Sequence, residues 1–280
     1  MSASPASSHP PLPDPPPTWL SALLSLCFCL ILTFCLCRGV TSTPSQAVAA
    51  SPAPTPAVPT TTPEPTPTPA PYDYTQPVPQ GEAVDQESWF ADAVFVGDSR
   101  VDGFHLFSGV TPQAAFLNYN GLSVYDVMEG KPVIRVGDKK VSILDALAQD
   151  RYGKVYLSLG INELGYYDAP GFAQTYGDIV DAVRESQPDA AIYIQTIIPV
   201  NTAKCEAGGA FDYITNEGVA DYNAALAQMC AEKQVMLVGV PDALLDQNGE
   251  VHAEYSADGI HFKREGYAVW LDYLTTHTGV

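Results

Sequence analysis

Basic residues are scarce in this chain. Its 280 residues include 13 Lys and Arg against 32 Asp and Glu, a formal net charge of -19 at pH 7. Residues 1–80 hold three acids and one base, so residues 81–280 carry 29 acids and 12 bases, a net charge of −17. Such a surface repels phosphate-rich partners, which disfavours nucleic acid and anionic membrane surfaces. We therefore expect no nucleic-acid partner.

Proline and cysteine are sparse after residue 80. Nineteen of the 25 prolines lie in residues 1–80 and six in residues 81–280. Only Cys205 and Cys230 of the six cysteines lie in the same region, and their spacing fits no metal site, which leaves a disulfide or two ordinary thiols. Residues 81–280 are therefore expected to form one domain of about 200 residues, large enough for a substantial core.

An uncharged apolar run occupies residues 19–37, after a short Pro-rich tail at residues 1–18. A bilayer span needs roughly 20 residues, so this run is predicted to be a transmembrane segment. Arg38 follows it and no Lys or Arg precedes it, so the positive-inside rule does not place the following chain outside the cell. Ala47-Val48-Ala49 resembles a cleavage site but lies far from the run, which favours an uncleaved signal anchor over a cleaved signal.

The stretch at residues 38–82 is dominated, over residues 43–80, by Pro, Thr, Ala and Ser. This composition cannot build a core and favours extended polyproline II. At about 3.1 Å per residue, such a stalk reaches up to roughly 100 Å from a membrane. The sequence thus predicts a disordered stalk that carries a domain at residues 83–280.

Apolar segments alternate with helical patterns through that domain. Five segments are predicted to be buried strands: residues 94–96, 115–119, 154–159, 191–198 and 235–240. Apolar residues at helical spacing predict helices around residues 172–183, 219–230 and 267–274. Residues 133–141 are typical of a small hairpin with a Gly137-Asp138 turn. Alternating strands and helices predict an α/β fold with a parallel sheet covered on both faces.

Four polar segments occupy positions from which their side chains could converge. They are Gly97-Asp98-Ser99 after the first strand, Asn120-Gly121 after the second, Gly160-Ile161-Asn162-Glu163 after the third, and Asp258-Gly259-Ile260-His261 at the expected start of the last helix. Parallel strands place their carboxyl ends on one edge of a sheet. We therefore expect the first three segments to share that edge.

These segments contain the groups that acyl transfer from a serine requires: a nucleophile, a base, a group that orients the base, and donors for the oxyanion. Ser99 is the candidate nucleophile, His261 the base, and Asp258 the carboxylate that orients His261. The candidate oxyanion donors are the backbone N–H groups of Ser99 and Gly121 and the side-chain amide of Asn162.

Each segment also has a purely structural interpretation. Asn120-Gly121 and Asp258-Gly259 are common turn pairs, and Asn162 could cap a helix. The catalytic interpretation is favoured because four unrelated turns rarely supply every required group in these positions. The other three histidines of the domain lack a comparable setting and are interpreted as surface or structural residues: His105, His252 and His277.

The four segments resemble the sequence blocks of the SGNH hydrolases, also called GDSL-type esterases and lipases. The block residues Ser, Gly, Asn and His match Ser99, Gly121, Asn162 and His261, with Asp258 in the Asp-x-x-His block. The resemblance covers most of the domain. It implies a three-layer α/β/α sandwich of flavodoxin-like type with a five-stranded parallel sheet. It also implies a serine esterase that forms a covalent acyl-enzyme and needs no metal or other cofactor.

Two residues depart from the family pattern. Arg100 stands where the family often has Leu or another apolar residue, and it is interpreted either as an ion-pair partner of one of the many acids or as a guide for an anionic substrate. Glu163 replaces the aspartate of the Gly-x-Asn-Asp block. Because that acid is not one of the four block residues, we expect activity to survive the replacement.

Anchor, stalk and domain together predict a single-pass membrane protein with an extracellular serine ester hydrolase domain. The expected substrate is an acylated carbohydrate of the cell envelope or of the extracellular space, with acetyl as the first choice of acyl group. Two alternatives stay open at this point. One is a lysophospholipase or short-chain acyl esterase, and the other is a catalytically silent glycan-binding module on the same fold.

Overall fold

The computed structural model describes residues 72–210 and 212–279. The predicted tail at 1–18, the predicted anchor at 19–37 and most of the predicted stalk at 38–82 lie outside these residues. Within the two described ranges, no helix combines the length and the apolar character needed to cross a membrane.

Strands and helices alternate along the described chain. The strands are β1 (Ala93–Gly97), β2 (Ala115–Asn118), β3 (Ile134–Val136), β4 (Lys139–Val141), β5 (Lys154–Ser158), β6 (Ala191–Gln195) and β7 (Met236–Val238). The helices are α1 (Gln86–Phe90), α2 (Ser99–Phe107), α3 (Val124–Met128), α4 (Ile143–Leu147), α5 (Ala169–Ser186), α6 (Thr202–Gly208), α7 (Asn216–Lys233) and α8 (Arg264–Thr276). A 3₁₀ turn at Asp242–Leu244 follows β7.

Five strands form one parallel sheet in the order β2-β1-β5-β6-β7. The remaining two, β3 and β4, pair antiparallel around the Gly137-Asp138 turn. Both the five-stranded parallel sheet and the small hairpin are thereby confirmed. The order places β1 between β2 and β5, so the three strands that precede the candidate site segments are immediate neighbours.

Two predicted strands are too long. The fourth was predicted over residues 191–198, but β6 ends at Gln195, where the backbone N–H of Ile197 donates to the side chain of Asn223 (2.7 Å) instead of to a strand. Ile197 and Ile198 are nevertheless buried, so they are apolar because they pack in the core from a loop and not from a strand. The fifth was predicted over residues 235–240, but β7 pairs with β6 over three residues and on its other side forms only an isolated bridge, from Leu237 to Pro77, among the described residues.

An apolar core lies on each face of the sheet. On one face, α5 and α7 bury Phe172, Val180 and Leu226 against the strands. On the other face, α2 and α8 bury Phe104 and Trp270, whose ring centroids are 4.8 Å apart. Each such side chain stabilises the fold by about 1.5–3 kcal/mol relative to exposure. The predicted three-layer α/β/α arrangement is confirmed.

The two domain cysteines are buried free thiols. Cys205 lies on α6 and Cys230 on α7, both packed in the core on the α5–α7 face. The sequence left open a disulfide or two ordinary thiols, and the structure shows two ordinary thiols.

Candidate active site

Ser99 is placed by the end of β1. Gly97 is the last residue of that strand, Asp98 caps α2 by accepting the backbone N–H of Arg100 (2.8 Å), and Ser99 is the first residue of the helix. The N–H groups of a first helical turn have no partner within the helix, and the positive end of the helix dipole points the same way. The backbone N–H of Ser99 is thus suited to receive an oxyanion, as predicted.

Ser99, His261 and Asp258 form a continuous hydrogen-bonded chain. The Ser99 Oγ lies 2.8 Å from Nε2 of His261, and the His261 Nδ1 lies 2.7 Å from Oδ2 of Asp258. With the proton on Nδ1, the ring donates to the carboxylate and Nε2 accepts the serine proton. The structure therefore brings together the three residues predicted as nucleophile, base and orienting acid.

Asp258 also shapes the loop that carries the histidine. Its Oδ1 accepts the backbone N–H groups of Ile260 (2.9 Å) and His261 (2.8 Å). Partial burial acts to raise the pKa of Asp258, but these hydrogen bonds and the His261 side chain outweigh it and hold that pKa below its ordinary value. The Asp258 carboxylate is consequently ionised at neutral pH and accepts a hydrogen bond from His261 Nδ1. This segment does not open the last helix as predicted, since α8 begins at Arg264, and a loop presents His261 instead.

The predicted oxyanion donors come from the loops after β2 and β5. Gly121 has a φ of +76°, a conformation that favours glycine, and a Cβ at this position would meet nothing within 4 Å. Gly121 is exposed and lines the same pocket as Ser99. The Asn162 Nδ2 donates to the carbonyl of Leu122 (3.0 Å) and makes only a long contact of 3.4 Å with Asp98, so its second N–H can serve an oxyanion. The alternative that Asn162 caps a helix is not what the structure shows, because residues 161–166 form turns.

The Asn162→Ala variant is expected to lower kcat by about 10²–10³, with a smaller change in KM, because the amide binds charge that develops only in the transition state. Steady-state kinetics on p-nitrophenyl acetate measure this. Asn120→Ala is the matched control, since Asn120 lines the same pocket without an assigned donor role. Equal kcat values for the two variants would remove Asn162 from the oxyanion hole.

Arg100 serves neither of the roles proposed for it from the sequence. Its side chain is buried, Nε donates to the carbonyl of Ile260 (2.9 Å), and Nη1 donates to the carbonyl of Ile198 (2.5 Å). The guanidinium also lies 5.0 Å from the ring centroid of Phe262. Among the described residues it makes no ion pair, and its burial keeps it from substrate. Arg100 instead holds the residues on both sides of His261, which fixes the base relative to Ser99.

Glu163 is fully buried beside the oxyanion loops. Its Oε1 accepts the backbone N–H of Val124 (2.6 Å), while Oε2 has no hydrogen-bond partner among the described residues. The pKa of Glu163 is raised to about 8, mainly by burial and also by the nearby Asp98, although the hydrogen bond from Val124 lowers it. Burial likewise raises the pKa of Asp98 to about 6, although the Arg100 N–H and the charges of Arg100 and His261 oppose the shift. Through its hydrogen bond with Val124, Glu163 thus connects the loop that follows Gly121 to the segment that carries Asn162.

Glu163 is expected to make the fold less stable as pH rises from about 4.5 to about 8. In that window the unfolded chain has lost the Glu163 proton while the folded chain keeps it. The free energy of unfolding therefore falls by up to about 1.4 kcal/mol per pH unit. Glu163→Gln keeps an acceptor for Val124 but cannot ionise, so this part of the dependence should disappear. Urea unfolding of both proteins at pH 5, 6, 7 and 8 measures the difference, and parallel stability profiles would contradict the assignment.

A pocket of ≈ 480 Å³ opens above Ser99. Gly121, Asn162 and His261 line it as well, whereas Asp258 does not line it and contacts His261. Five other residues line it: Asn120, Ile161, Tyr213, Ile214 and Ile260. Asn120, Ile161 and Ile260 belong to the predicted segments, which assign them no role, whereas sequence reasoning missed Tyr213 and Ile214. Tyr213 and Ile214 come from the loop between α6 and α7, which carries no motif.

The family assignment rests on a match across most of the domain. The sequence profile of the GDSL-like lipase/acylhydrolase family matches residues 95–269, more than half of the chain. The chain belongs to this family. The predicted membership of the SGNH/GDSL-type hydrolases is confirmed. The prediction of an ester-hydrolysing enzyme is confirmed at the level of the family.

Individual relatives are more distant. The isoamyl acetate-hydrolyzing esterase of Saccharomyces cerevisiae is 35% identical over 60 residues, which cover 21% of this chain and 25% of that protein. A structure provisionally named as a platelet activating factor from Streptococcus pneumonia has a TM-score of 0.53 and 24% identity, covering 65% of this chain and 81% of that one. A provisionally assigned GDSL-like lipase from Parabacteroides merdae has a TM-score of 0.50 and 14% identity over 73% of this chain and all of that one. The two structural likenesses show the fold alone.

Proposed function

We propose that this protein hydrolyses carboxylic esters of carbohydrate, with acetyl as the acyl group, through an acyl-enzyme on Ser99. The observation that carries the ester chemistry is the Ser99–His261–Asp258 chain, with contacts of 2.8 and 2.7 Å, in which Ser99 and His261 line an open pocket. A hydroxyl, an imidazole and a carboxylate in this order are the groups that acyl transfer requires.

The geometry supports a two-step reaction. His261 Nε2 takes the Ser99 proton as Oγ attacks the acyl carbon, and the resulting oxyanion is bound by the Ser99 and Gly121 N–H groups and the Asn162 amide. The same imidazole then returns the proton to the leaving alcohol as the ester C–O bond breaks. Water repeats the sequence on the acyl-enzyme and releases the free acid and Ser99.

The choice of a carbohydrate ester follows from the pocket and from the N-terminal sequence. The pocket presents Asn120 and Asn162 beside Ser99 together with three isoleucines, and among the described residues that line it there is no Lys or Arg, which favours a neutral substrate. The apolar run at residues 19–37 and the Pro-rich residues 38–82 suit a domain held outside a single-pass anchor, where envelope or extracellular polysaccharide is at hand.

The experiment that tests this function uses the full chain. O-acetylated xylan, ethyl hexanoate and a lysophosphatidylcholine are offered separately, and released acid is titrated. We expect the highest kcat/KM per ester on the acetylated glycan, and no release after treatment with a fluorophosphonate. Faster hydrolysis of the lysophospholipid or of ethyl hexanoate would overturn the carbohydrate assignment. A folded chain that neither turns over an ester nor reacts with the fluorophosphonate would be a silent binding module.

A further inference from the structure

Two tyrosines from separate loops contact each other where Tyr213 lines the Ser99 pocket. Tyr213 lines the pocket, and its ring lies against that of Tyr166 with centroids 4.7 Å apart and planes at 65°. The two hydroxyl groups are hydrogen-bonded at 2.7 Å. Tyr166 is 63% exposed, the largest fraction among the exposed large apolar side chains that the structure describes. We call Tyr166 and Tyr213 the tyrosine wall.

The tyrosine wall is connected to the segment that carries Asn162. Tyr166 donates its backbone N–H to the carbonyl of Glu163 (3.1 Å), which closes a turn directly after Asn162. Gly165 has a φ of +78°, and a Cβ there would lie 2.2 Å from the Cβ of Tyr213, so the Tyr213 side chain packs directly on that glycine. The exposed Tyr166 ring is therefore held between a turn that follows Asn162 and Tyr213, which lines the Ser99 pocket.

The chemistry of the tyrosine wall suits a sugar ring. The face of an aromatic ring is electron-rich, so it attracts the C–H groups that project from the flat face of a pyranose. The Tyr166 and Tyr213 hydroxyls stand at the edge of the rings, where sugar hydroxyl groups would exchange hydrogen bonds with them. A long acyl chain gains most from an enclosed apolar tunnel, whereas the Tyr166 ring is largely open to water.

We propose that the tyrosine wall is the subsite for the alcohol part of the ester, a neutral glycosyl unit that stacks on Tyr166 while its acyl group reaches Ser99. This inference rests on the proposed function, because the wall has a role only if Ser99 attacks a glycosyl ester. It goes further in naming the residues that select the carbohydrate. Tyr166 acts in binding, so its contribution belongs to KM and to substrate preference.

The test compares a glycosyl ester with two esters that have no ring to stack. Release of acid from glucose pentaacetate, ethyl acetate and ethyl hexanoate is titrated for the full chain and for Tyr166→Ala, Tyr166→Phe and Leu106→Ala. Leu106 is the control, because it is an exposed apolar residue at the far end of α2 from Ser99. We expect Tyr166→Ala to raise KM for glucose pentaacetate about tenfold, with kcat and both ethyl esters within twofold.

The conservative variant separates stacking from a merely structural role. Tyr166→Phe keeps the ring and loses only the hydroxyl bond to Tyr213, so we expect it to retain most of the affinity for glucose pentaacetate. An equal loss by Tyr166→Ala on all three esters, or no change on glucose pentaacetate, would overturn the sugar subsite while leaving the esterase intact. A rise in KM confined to ethyl hexanoate would assign the wall to the acyl chain and overturn the proposal. If the unmodified chain hydrolyses none of the esters, the proposed function itself fails.

Discussion

Ser99→Ala is expected to lower kcat on p-nitrophenyl acetate by about 10⁴–10⁶ in the full chain. The substitution removes the only atom of Ser99 that can form the acyl-enzyme. It leaves the backbone N–H that is predicted to bind the oxyanion, and alanine is favourable in the first turn of α2. The residual rate should therefore come from the oxyanion donors and from substrate binding alone. Labelling by a fluorophosphonate should disappear completely.

Ser108→Ala is the control for this prediction. Ser108 stands at the opposite end of α2, where it is buried and its Oγ accepts the backbone N–H of Val110 (3.1 Å). Loss of that hydrogen bond should reduce stability by about 1–2 kcal/mol without changing kcat. If Ser99→Ala keeps more than about a tenth of the original kcat while remaining folded, the nucleophile is a different group.

Local sequence was enough to predict the three strands that lead into the site and the residues that follow them. A short apolar run that ends in glycine and then in a polar residue has few structural interpretations, and parallel strands bring such ends to one edge. Residues 97–99, 120–121 and 160–163 therefore appear where expected. The sequence could not predict that their strands are immediate neighbours, because the order β2-β1-β5 depends on how helices pack over the whole sheet.

The residues that support the site were harder to predict. The sequence offers two roles for Arg100, an ion pair with an acid or guidance of an anionic substrate, whereas the structure buries its side chain, which is rare for arginine. Its actual partners are the carbonyls of Ile198 and Ile260, and Glu163 likewise binds the backbone N–H of Val124. Every residue has these backbone groups, so no pattern of side chains identifies which of them will bind a buried polar side chain. Supporting contacts to backbone become visible only in the folded chain.

Tyr213 shows a second reason why part of the site is invisible in sequence. It reaches the Ser99 pocket from the loop between α6 and α7, with no strand end or glycine motif beside it. Aromatic residues are frequent in this chain, 15 of them tyrosine, so one more tyrosine in a loop carries little information. Substrate selection by loops is for this reason less predictable than the catalytic groups that the sheet positions.

His261→Gln is expected to lower kcat on p-nitrophenyl acetate about as much as Ser99→Ala does, by about 10⁴–10⁶. Without the imidazole, no other described residue is hydrogen-bonded to the Ser99 Oγ to take its proton, and the Asp258 carboxylate loses the ring that it orients. The two residues act as one unit. The double variant should consequently be no slower than either single variant, although independent effects would multiply.

His252→Gln is the matched control, because His252 lies outside the Ser99 pocket and contacts the ring of Tyr255. It should leave kcat within about twofold, since surface and structural substitutions away from the site act mainly on stability. A double variant of Ser99 and His261 that loses the product of the two single effects would show that the groups act separately. In that case the 2.8 Å contact between Oγ and Nε2 would not be the proton path, and a different base would have to serve Ser99.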